Sequence, residues 1–526
     1  MVAEPVQLAN ADRHEATAAW LRALVPAGRR AGTRLTSNSR ALRRGDVFFA
    51  WKGARSDGRN FIPAAVDAGA AAVLWDDAPP FKWEPRWQVE NRAVTGLKEA
   101  AGAIAAAWYD HPSERLAVVG ITGTSGKSSC AWWLAQAFTR LGQRCAVAGT
   151  LGIGFIPQGS TAELRETGMT TPDAIELQAN LAHLVESGAR ALAMEVSSIG
   201  LSEGRVNGMK FDVALFTNLT RDHLDYHGTM EAYEAAKAQL FVWPRLSGAV
   251  LNVDDPCGAR LAVVAARHAA VVLRYSASGA AQADLRATDV AVTADGMRFC
   301  LHGAFGERTV RTTMIGAYNL ENLLGVLGVL LVAGHEVDAV IAAIDALVPA
   351  PGRLEPVLPA GQARDAVPLV LVDYAHKPDA LDKVLAACRP LAVARGGRLV
   401  VVFGCGGDRD AGKRPLMGAI AARGADRMVV TSDNPRSEDP QAIIDQVAAG
   451  FTSAVAAGNA TATLAVVADR KNAIHRTIAA ADARDVIVIA GKGHETYQEV
   501  AGVKLPFSDL AEARAALDAR MEAKPC

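Results

Sequence analysis

Three stretches of the chain space reactive side chains in ways that suit phosphate and carboxylate chemistry. The first is Gly123, Thr124, Ser125, Gly126, Lys127, Ser128 and Ser129, between an apolar run and a helical segment. Backbone N–H groups of such a loop, at a helix N-terminus, wrap phosphates. Lys127 would reach the β- and γ-phosphates, and the Ser128 hydroxyl would meet Mg²⁺. Ile121 stands where the longer form of this pattern has glycine, so the match is to the shorter G-x-x-G-K-S. Glu195 ends the apolar run "LAMEVSS", placed either to hold a metal or to stand in solvent as a strand end.

The second stretch is "TMEAYEAAKAQLF", helical by propensity, with Tyr233, Ala236, Leu240 and Phe241 as its apolar stripe. Lys237 lies on that stripe. Such a lysine either snorkels its ammonium to water or is desolvated with a lowered pKa. A neutral amine takes up CO2 as an anionic carbamate, which can bind metal. Just before it, Asp222, His223, Asp225 and His227 form a turn suited to metal or phosphate contact, or to a plain polar network. The third stretch is "TSDNPR", with Asp433, Asn434, Pro435 and Arg436. Proline narrows the backbone before Arg436, and a guanidinium held at one angle grips a carboxylate or phosphate by two parallel hydrogen bonds.

These groups need a scaffold, and 526 residues suffice for roughly three or four domains. A chain 50% hydrophobic and 21% charged suits full globular cores. The net charge of -1 gives no global basic footprint for nucleic acid. The longest near-uniform apolar stretch, residues 323–334, is too short to span a membrane. The start carries acids where a signal peptide is basic, and the seven cysteines form no C-x-x-C pair. A cytoplasmic chain with neither disulfide framework nor zinc site is expected. "HPSERLAVVG" and "LVPAPGRLEPV" break the pattern and divide the chain into residues 1–112, 113–350 and 351–526. Apolar runs alternate with helical stretches throughout, an α/β pattern of mostly parallel sheets. In the last part, "PLVLVDYAHKP", "GRLVVVFGCGGDRD", "DRMVVTSDNPR" and "DVIVIAGKGHE" each end in polar residues. Parallel strands would bring those ends to one edge, where open α/β sheets bind ligands.

Read in order, "GITGTSGKSS", "MEVSSIGL", "NLTRDHLDYHGTMEAYEAAKAQLF", "IGAYNLEN", "PGRLEP", "VDYAHKPDAL", "FGCGGDRDAGKRPLM", "TSDNPRSE" and "AGKGHETYQ" resemble the Mur ligases of peptidoglycan synthesis. With "NSRALRRGDVFFAWKGARSDGRNFI" the resemblance covers almost the whole chain. It implies an N-terminal α/β domain for a UDP-sugar, a central P-loop ATPase domain with a parallel sheet, and a C-terminal Rossmann-like domain for the incoming amino acid. It also implies a monomer, with ATP as co-substrate and Mg²⁺ as cofactor, that extends UDP-N-acetylmuramoyl-L-alanyl-D-glutamate through an acyl phosphate.

By the same resemblance, residues 123–129 hold ATP phosphates, and Ser128 and Glu195 are magnesium ligands. His223 lies near a second metal, and Lys237 is the carbamylated lysine. Asn319 and Asn322 contact the adenine side, and Arg353, Asp373 and His376 the nucleotide. Ser39, Thr170, Thr171, Ser197 and Arg205 hold the UDP-sugar. Met169 and Glu203 stand where relatives have Asn and often Gln, so contacts at those two positions are not carried over. The D-N-P-R motif implies meso-diaminopimelate: Arg436 with Arg409 for its distal carboxylate, Asp433, Asn434 and Pro435 beside them, Gly491 and Glu495 for its ammonium. L-lysine lacks that carboxylate. The rivals are a lysine-adding relative, a folylpolyglutamate synthase, and a scaffold that has lost turnover; "DNPR" speaks against the first two, and intact Lys127, Glu195 and Lys237 against the third.

Overall fold

Short apolar runs fold as strands with alternate residues on opposite faces, and the helices between them cover both faces. The computed structural model describes residues 11–25, 32–53, 56–156, 164–293, 296–358, 366–458, 460 and 462–522. The N-terminal stretch forms a parallel sheet of Leu35–Thr36, Val47–Ala50, Ala72–Asp76 and Glu90–Val94, in chain order. Val47 and Phe49 pack under helices Ala11–Leu24 and Leu97–Trp108, while Phe48 and Ala50 face a second small core. Gly102 in the latter helix admits close backbone contact, since a Cβ there would strike the carbonyl of Asn207. Asn207 Nδ2 also donates to the Glu99 carbonyl at 2.9 Å. The turn carrying Arg205 is thereby tied to the N-terminal sheet's helix.

The central sheet is built around Ala117–Thr122, which lies between Ala191–Glu195 and Val213–Phe216, all parallel. Beyond Ala191–Glu195 come Cys145–Gly149, parallel, and Gly152–Phe155, antiparallel. On the other side Gly248–Asn252 and Val271–Ser276 continue the parallel run. Strand order therefore turns in opposite directions on either side of Ala117–Thr122, and the loop leaving its carboxyl end, residues 123–126, occupies a topological switch point. After Val271–Ser276 the chain departs from the expected helix–strand alternation and runs through Leu285–Thr293, Gly296–Gly303 and Gly306–Thr312.

The last sheet orders its strands Glu355–Val357, Leu369–Asp373, Val486–Ala490, Leu399–Phe403, Arg427–Val430 and Thr463–Val466; only the first is antiparallel. Val486, Val488 and Ala490 enter one core and Ile487 and Ile489 the other, so helices cover both faces. The carboxyl ends of Leu369–Asp373, Leu399–Phe403, Arg427–Val430 and Val486–Ala490 share one edge, as expected. By packing, the chain forms two compact units: residues 1–286 with 302–306 and 322–343, and residues 287–301 with 307–321 and 344–526. Among the described residues the cysteines are all unpaired, and no helix is long and apolar enough to cross a membrane.

Candidate active site

In the first unit, strand Ala117–Thr122 delivers the chain into the glycine loop and helix Lys127–Arg140. Gly123 and Gly126 have φ of +147° and +88°, conformations that side chains rarely adopt. Any Cβ would also collide, with Thr217 Oγ1 at Gly123 and with the Asn322 side chain at Gly126. The loop is pinned from Asn218, whose carbonyl accepts Thr124 N–H at 2.8 Å and whose Oδ1 accepts Ser125 N–H at 3.0 Å. Lys127 Nζ donates to the carbonyls of Gly123 and Thr124 at 2.8 and 3.0 Å.

Lys237 is the desolvated alternative, only 1% exposed. Thr229 caps helix Met230–Ala238, its hydroxyl accepting Ala232 N–H, and the apolar stripe turns Lys237 inward. Its Nζ donates to the Gly123 carbonyl at 3.0 Å, the carbonyl Lys127 also uses, and lies 4.3 Å from the centre of the Tyr233 ring. Burial, then the charge of Lys127, holds this amine well below the usual lysine range. Glu195 is buried rather than a solvated strand end, accepting from Thr150 N–H at 2.8 Å and Thr150 Oγ at 3.3 Å. The His-rich turn forms a polar network around Tyr233, a residue first read only as core. Thr124 Oγ1 and the Tyr233 hydroxyl are 3.2 Å apart, the His223 and His227 rings lie against Tyr233, and His227 Nε2 meets Ser198 Oγ at 2.9 Å. Desolvation, then the nearby Lys237 and His223 charges, lower His227's pKa.

Thr171, Ser197 and Arg205 come together. Thr171 Oγ1 lies 3.0 Å from Ser197 Oγ, and Arg205 Nη1 donates to the Thr171 carbonyl at 3.1 Å. Thr170 Oγ1 lies 3.1 Å from Thr150 Oγ1. Glu203 has a local use: its carboxylate accepts from Arg205 Nε at 2.8 Å, fixing the guanidinium. Met169 is exposed. Ser39 begins a short turn capped by Asn38, in the N-terminal sheet's first loop. Asn322 touches the phosphate loop at Gly126; Asn319, also on helix Ala317–Val332, is buried and donates from Nδ2 to the Ile315 carbonyl.

In the second unit, Asp373 is buried at a strand end and accepts from the N–H groups of Leu354 and Ala375, both at 2.8 Å. Burial raises its pKa despite nearby Arg353. The Arg353 guanidinium stacks on Tyr374, 4.7 Å from the ring centre. His376 Nδ1 lies 2.8 Å from the Tyr374 carbonyl, which fixes that nitrogen as the protonated one. Desolvation lowers its pKa against the Tyr374 hydrogen bond, which raises it, and the charges of Lys413 and Lys377 lower it further.

The strand ends carrying "TSDNPR" and "AGKGHE" interlock. Gly491, at φ +118°, leaves no room for a Cβ beside the Asp433 carboxylate. Asn434 Nδ2 donates to Glu495 at 3.0 Å, and its Oδ1 accepts Lys492 Nζ at 2.9 Å. Fully buried Lys492 also lies 3.1 Å from Glu495 and 3.5 Å from Asp433. Arg436 sits at φ +52°, a left-handed geometry unusual for a side-chain-bearing residue. Proline alone does not impose it. Arg436 N–H donates to the Glu499 carbonyl and its carbonyl accepts Ala501 N–H, so a hairpin of Tyr497–Val500 and Val503–Pro506 grips it on both sides. The side chains of Arg436 and Arg409 both approach Gly406. Arg409 is exposed. Lys492 and the hairpin escaped the reading of the sequence, although Lys492, the one charge between Gly491 and Glu495, was a signal.

Comparison with known proteins accords with this geometry. Residues 33–109 match the Mur ligase family catalytic domain, residues 121–330 the Mur ligase middle domain, and residues 352–493 the Mur ligase glutamate ligase domain. The chain belongs to the Mur ligase family. It is 50% identical over 513 residues to the UDP-N-acetylmuramoyl-L-alanyl-D-glutamate–2,6-diaminopimelate ligase of Ralstonia nicotianae, covering 95% of each chain. The enzyme of the same name from Chromobacterium violaceum is 50% identical over 486 residues, covering 92% of this chain and 94% of that one. A solved structure of a ligase of that name superposes with a TM-score of 0.68 at 34% identity, over 93% of this chain and 95% of the other. Mur ligases have the three-domain α/β architecture that the three main sheets display.

Proposed function

We propose that the protein is an ATP-dependent, ADP-forming ligase that joins meso-diaminopimelate to the D-glutamate side-chain carboxylate of UDP-N-acetylmuramoyl-L-alanyl-D-glutamate. The observation that carries the choice of amino acid is the charge layout at one sheet edge. Arg436 offers a guanidinium for a carboxylate, while Asp433 and Glu495, two acids sharing one lysine, leave one negative charge for an ammonium. Residues 1–112, 113–350 and 351–526 serve the UDP-sugar, ATP and the amino acid.

A carboxylate oxygen is a poor leaving group, so the D-glutamate carboxylate first attacks the γ-phosphorus of ATP, and ADP departs. The substrate amine then attacks the carbonyl carbon of the acyl phosphate. The C–N bond forms, the C–O bond to phosphate breaks, and the amine loses a proton. Lys127 and the loop of Gly123, Thr124, Ser125, Gly126, Ser128 and Ser129 hold the phosphates. Asn319, Asn322, Arg353, Asp373 and His376 hold the rest of the nucleotide. Ser39, Thr170, Thr171, Ser197 and Arg205 hold the UDP-sugar peptide, and Arg409, Asn434, Pro435 and Gly491 shape the amino-acid site.

The donor set fits Mg²⁺ only after modification, because Lys127 and Lys237 both aim cationic or amine nitrogens at one carbonyl. The neutral Lys237 amine attacks CO2, forms a C–N bond and releases a proton, replacing a buried amine by an anion. Ser128, Glu195, His223 and the Lys237 carbamate would then hold Mg²⁺, which when bound offsets phosphate charge. Stripping CO2 lowers activity and bicarbonate restores it on this account. Protein, ATP, Mg²⁺ and the UDP-sugar, offered meso-diaminopimelate or L-lysine, test the whole reading by ADP release. Turnover with diaminopimelate in preference to L-lysine is expected, with that preference weakened in Arg436→Ala. Preference for L-lysine would overturn the role of Arg436, and no turnover with either would favour an inactive scaffold.

A further inference from the structure

Arg436 already has a carboxylate. Its Nε lies 3.2 Å from Glu499 Oε2, and its Nη1 donates to the Gly407 carbonyl at 2.8 Å. A guanidinium grips a carboxylate by two parallel bonds from either its Nε–Nη2 or its Nη1–Nη2 edge. Here one nitrogen of each edge is engaged. Resting on the proposed function, we propose that Glu499 is a resident competitor for the substrate's distal carboxylate and sets the margin by which diaminopimelate is preferred over L-lysine.

The remaining contacts make Glu499 suited to yielding its place. Its backbone is fixed independently of its side chain: the N–H donates to Asn434 Oδ1 at 2.9 Å, and the carbonyl accepts Arg436 N–H at 3.1 Å. Its carboxylate makes no other hydrogen bond or ion pair among the described residues, and the pair is partly exposed, 21% at Arg436 and 24% at Glu499. The side chain can therefore swing away without opening the hairpin. Neighbouring acids are committed elsewhere. Asp408 accepts from Ser437 Oγ at 2.6 Å, and Glu438 from Arg414 at 2.8 and 2.9 Å.

The consequence concerns both amino acids. Diaminopimelate must displace Glu499 before its distal carboxylate takes the Nε–Nη2 edge, which weakens its binding. L-lysine leaves Arg436 paired with Glu499, so the penalty for an unmatched guanidinium is reduced. Glu499 thus costs affinity for the substrate and softens rejection of its competitor.

Kinetics of the full chain with ATP, Mg²⁺ and the UDP-sugar test this in Glu499→Gln, Glu499→Ala, Arg436→Ala and the double variant Glu499→Gln/Arg436→Ala. A partly exposed ion pair with a single nitrogen–oxygen contact is weak, so removing the charge should lower KM for meso-diaminopimelate by about two- to fivefold with kcat little changed. The kcat/KM for L-lysine should fall, widening the ratio by about tenfold. In the Arg436→Ala background, Glu499→Gln should alter neither. An unchanged or raised KM for diaminopimelate in both Glu499 variants, or the same fall without Arg436, overturns the competitor role while leaving the ligase reading intact. Wild-type protein without diaminopimelate-dependent turnover overturns both.

Discussion

The phosphate loop and the "DNPR" loop each present cationic groups to an anion, yet they are built on different physics. Around Lys127 and Lys237 the geometry comes from backbone: two glycines that admit no Cβ, and a carbonyl shared by both amines. Around Arg436 it comes from side chains: Lys492 is shared by Asp433, Asn434 and Glu495, and Arg436 pairs with Glu499. The first gathers two amines at one carbonyl, a setting that draws anions. The second already pairs its guanidinium and must exchange one partner for another. A gathering of amines suits a highly charged substrate present in every turnover. An exchanging site suits discrimination between similar amino acids.

That contrast is sharpest under substitution. Removing Lys127 takes away the phosphate-loop cation with nothing to replace it, and Lys127→Ala should lower kcat/KM by about 10³-fold in an ADP-release assay. At the other site the loss should be selective. Arg436→Ala should reduce the diaminopimelate-to-lysine ratio by about 10²-fold while leaving UDP-sugar KM unchanged. A uniform fall in both parameters would show that the two regions are not independent.

Lys237 separates stability from activity. Its folded pKa lies below the unfolded one, so between the two the unfolded chain binds more protons and stability rises with pH. Lys237→Met should abolish turnover, raise stability at pH 7 by about 1–3 kcal/mol and flatten that rise. Equal or lower stability of the variant would contradict an unbalanced buried amine. The smallest effect belongs to His494, beside Tyr374, whose pKa burial lowers to about 4, with Arg353 adding to the shift. Below the unfolded imidazole's value of 6.5 the unfolded chain takes up a proton the folded one refuses. Its contribution is complete above that pH and is lost as pH falls toward 4. His494→Phe should weaken this acid-side decline in melting temperature measured across that window.

The sequence disclosed the backbone-built site more fully than the side-chain-built one. Gly123, Gly126 and Lys127 are contiguous, and the strand and helix that flank them are long and apolar, so their geometry is local. Lys237 was visible as a charge on an apolar stripe, but its burial depended on packing that periodicity does not report. The hairpin of Tyr497–Val500 and Val503–Pro506 has partly and fully exposed strands of four residues each, too short for periodicity to betray them. Its contacts with Arg436 and Asn434 span some sixty residues of chain, as Asn434 to Glu499 does at 65. Tyr233 was legible only as core, because its hydroxyl partner Thr124 is 109 residues away. The edge formed by the last sheet's strand ends was foreseen because it follows from parallel pairing alone.

The most direct test of the ligase mechanism is to follow oxygen. UDP-N-acetylmuramoyl-L-alanyl-D-glutamate labelled with ¹⁸O in the D-glutamate side-chain carboxylate would be turned over with ATP, Mg²⁺ and meso-diaminopimelate, and the released phosphate analysed by mass. One labelled oxygen per phosphate, appearing only with diaminopimelate and lost in Lys127→Ala, is the result the acyl phosphate predicts. Unlabelled phosphate accompanying amide formation would contradict it.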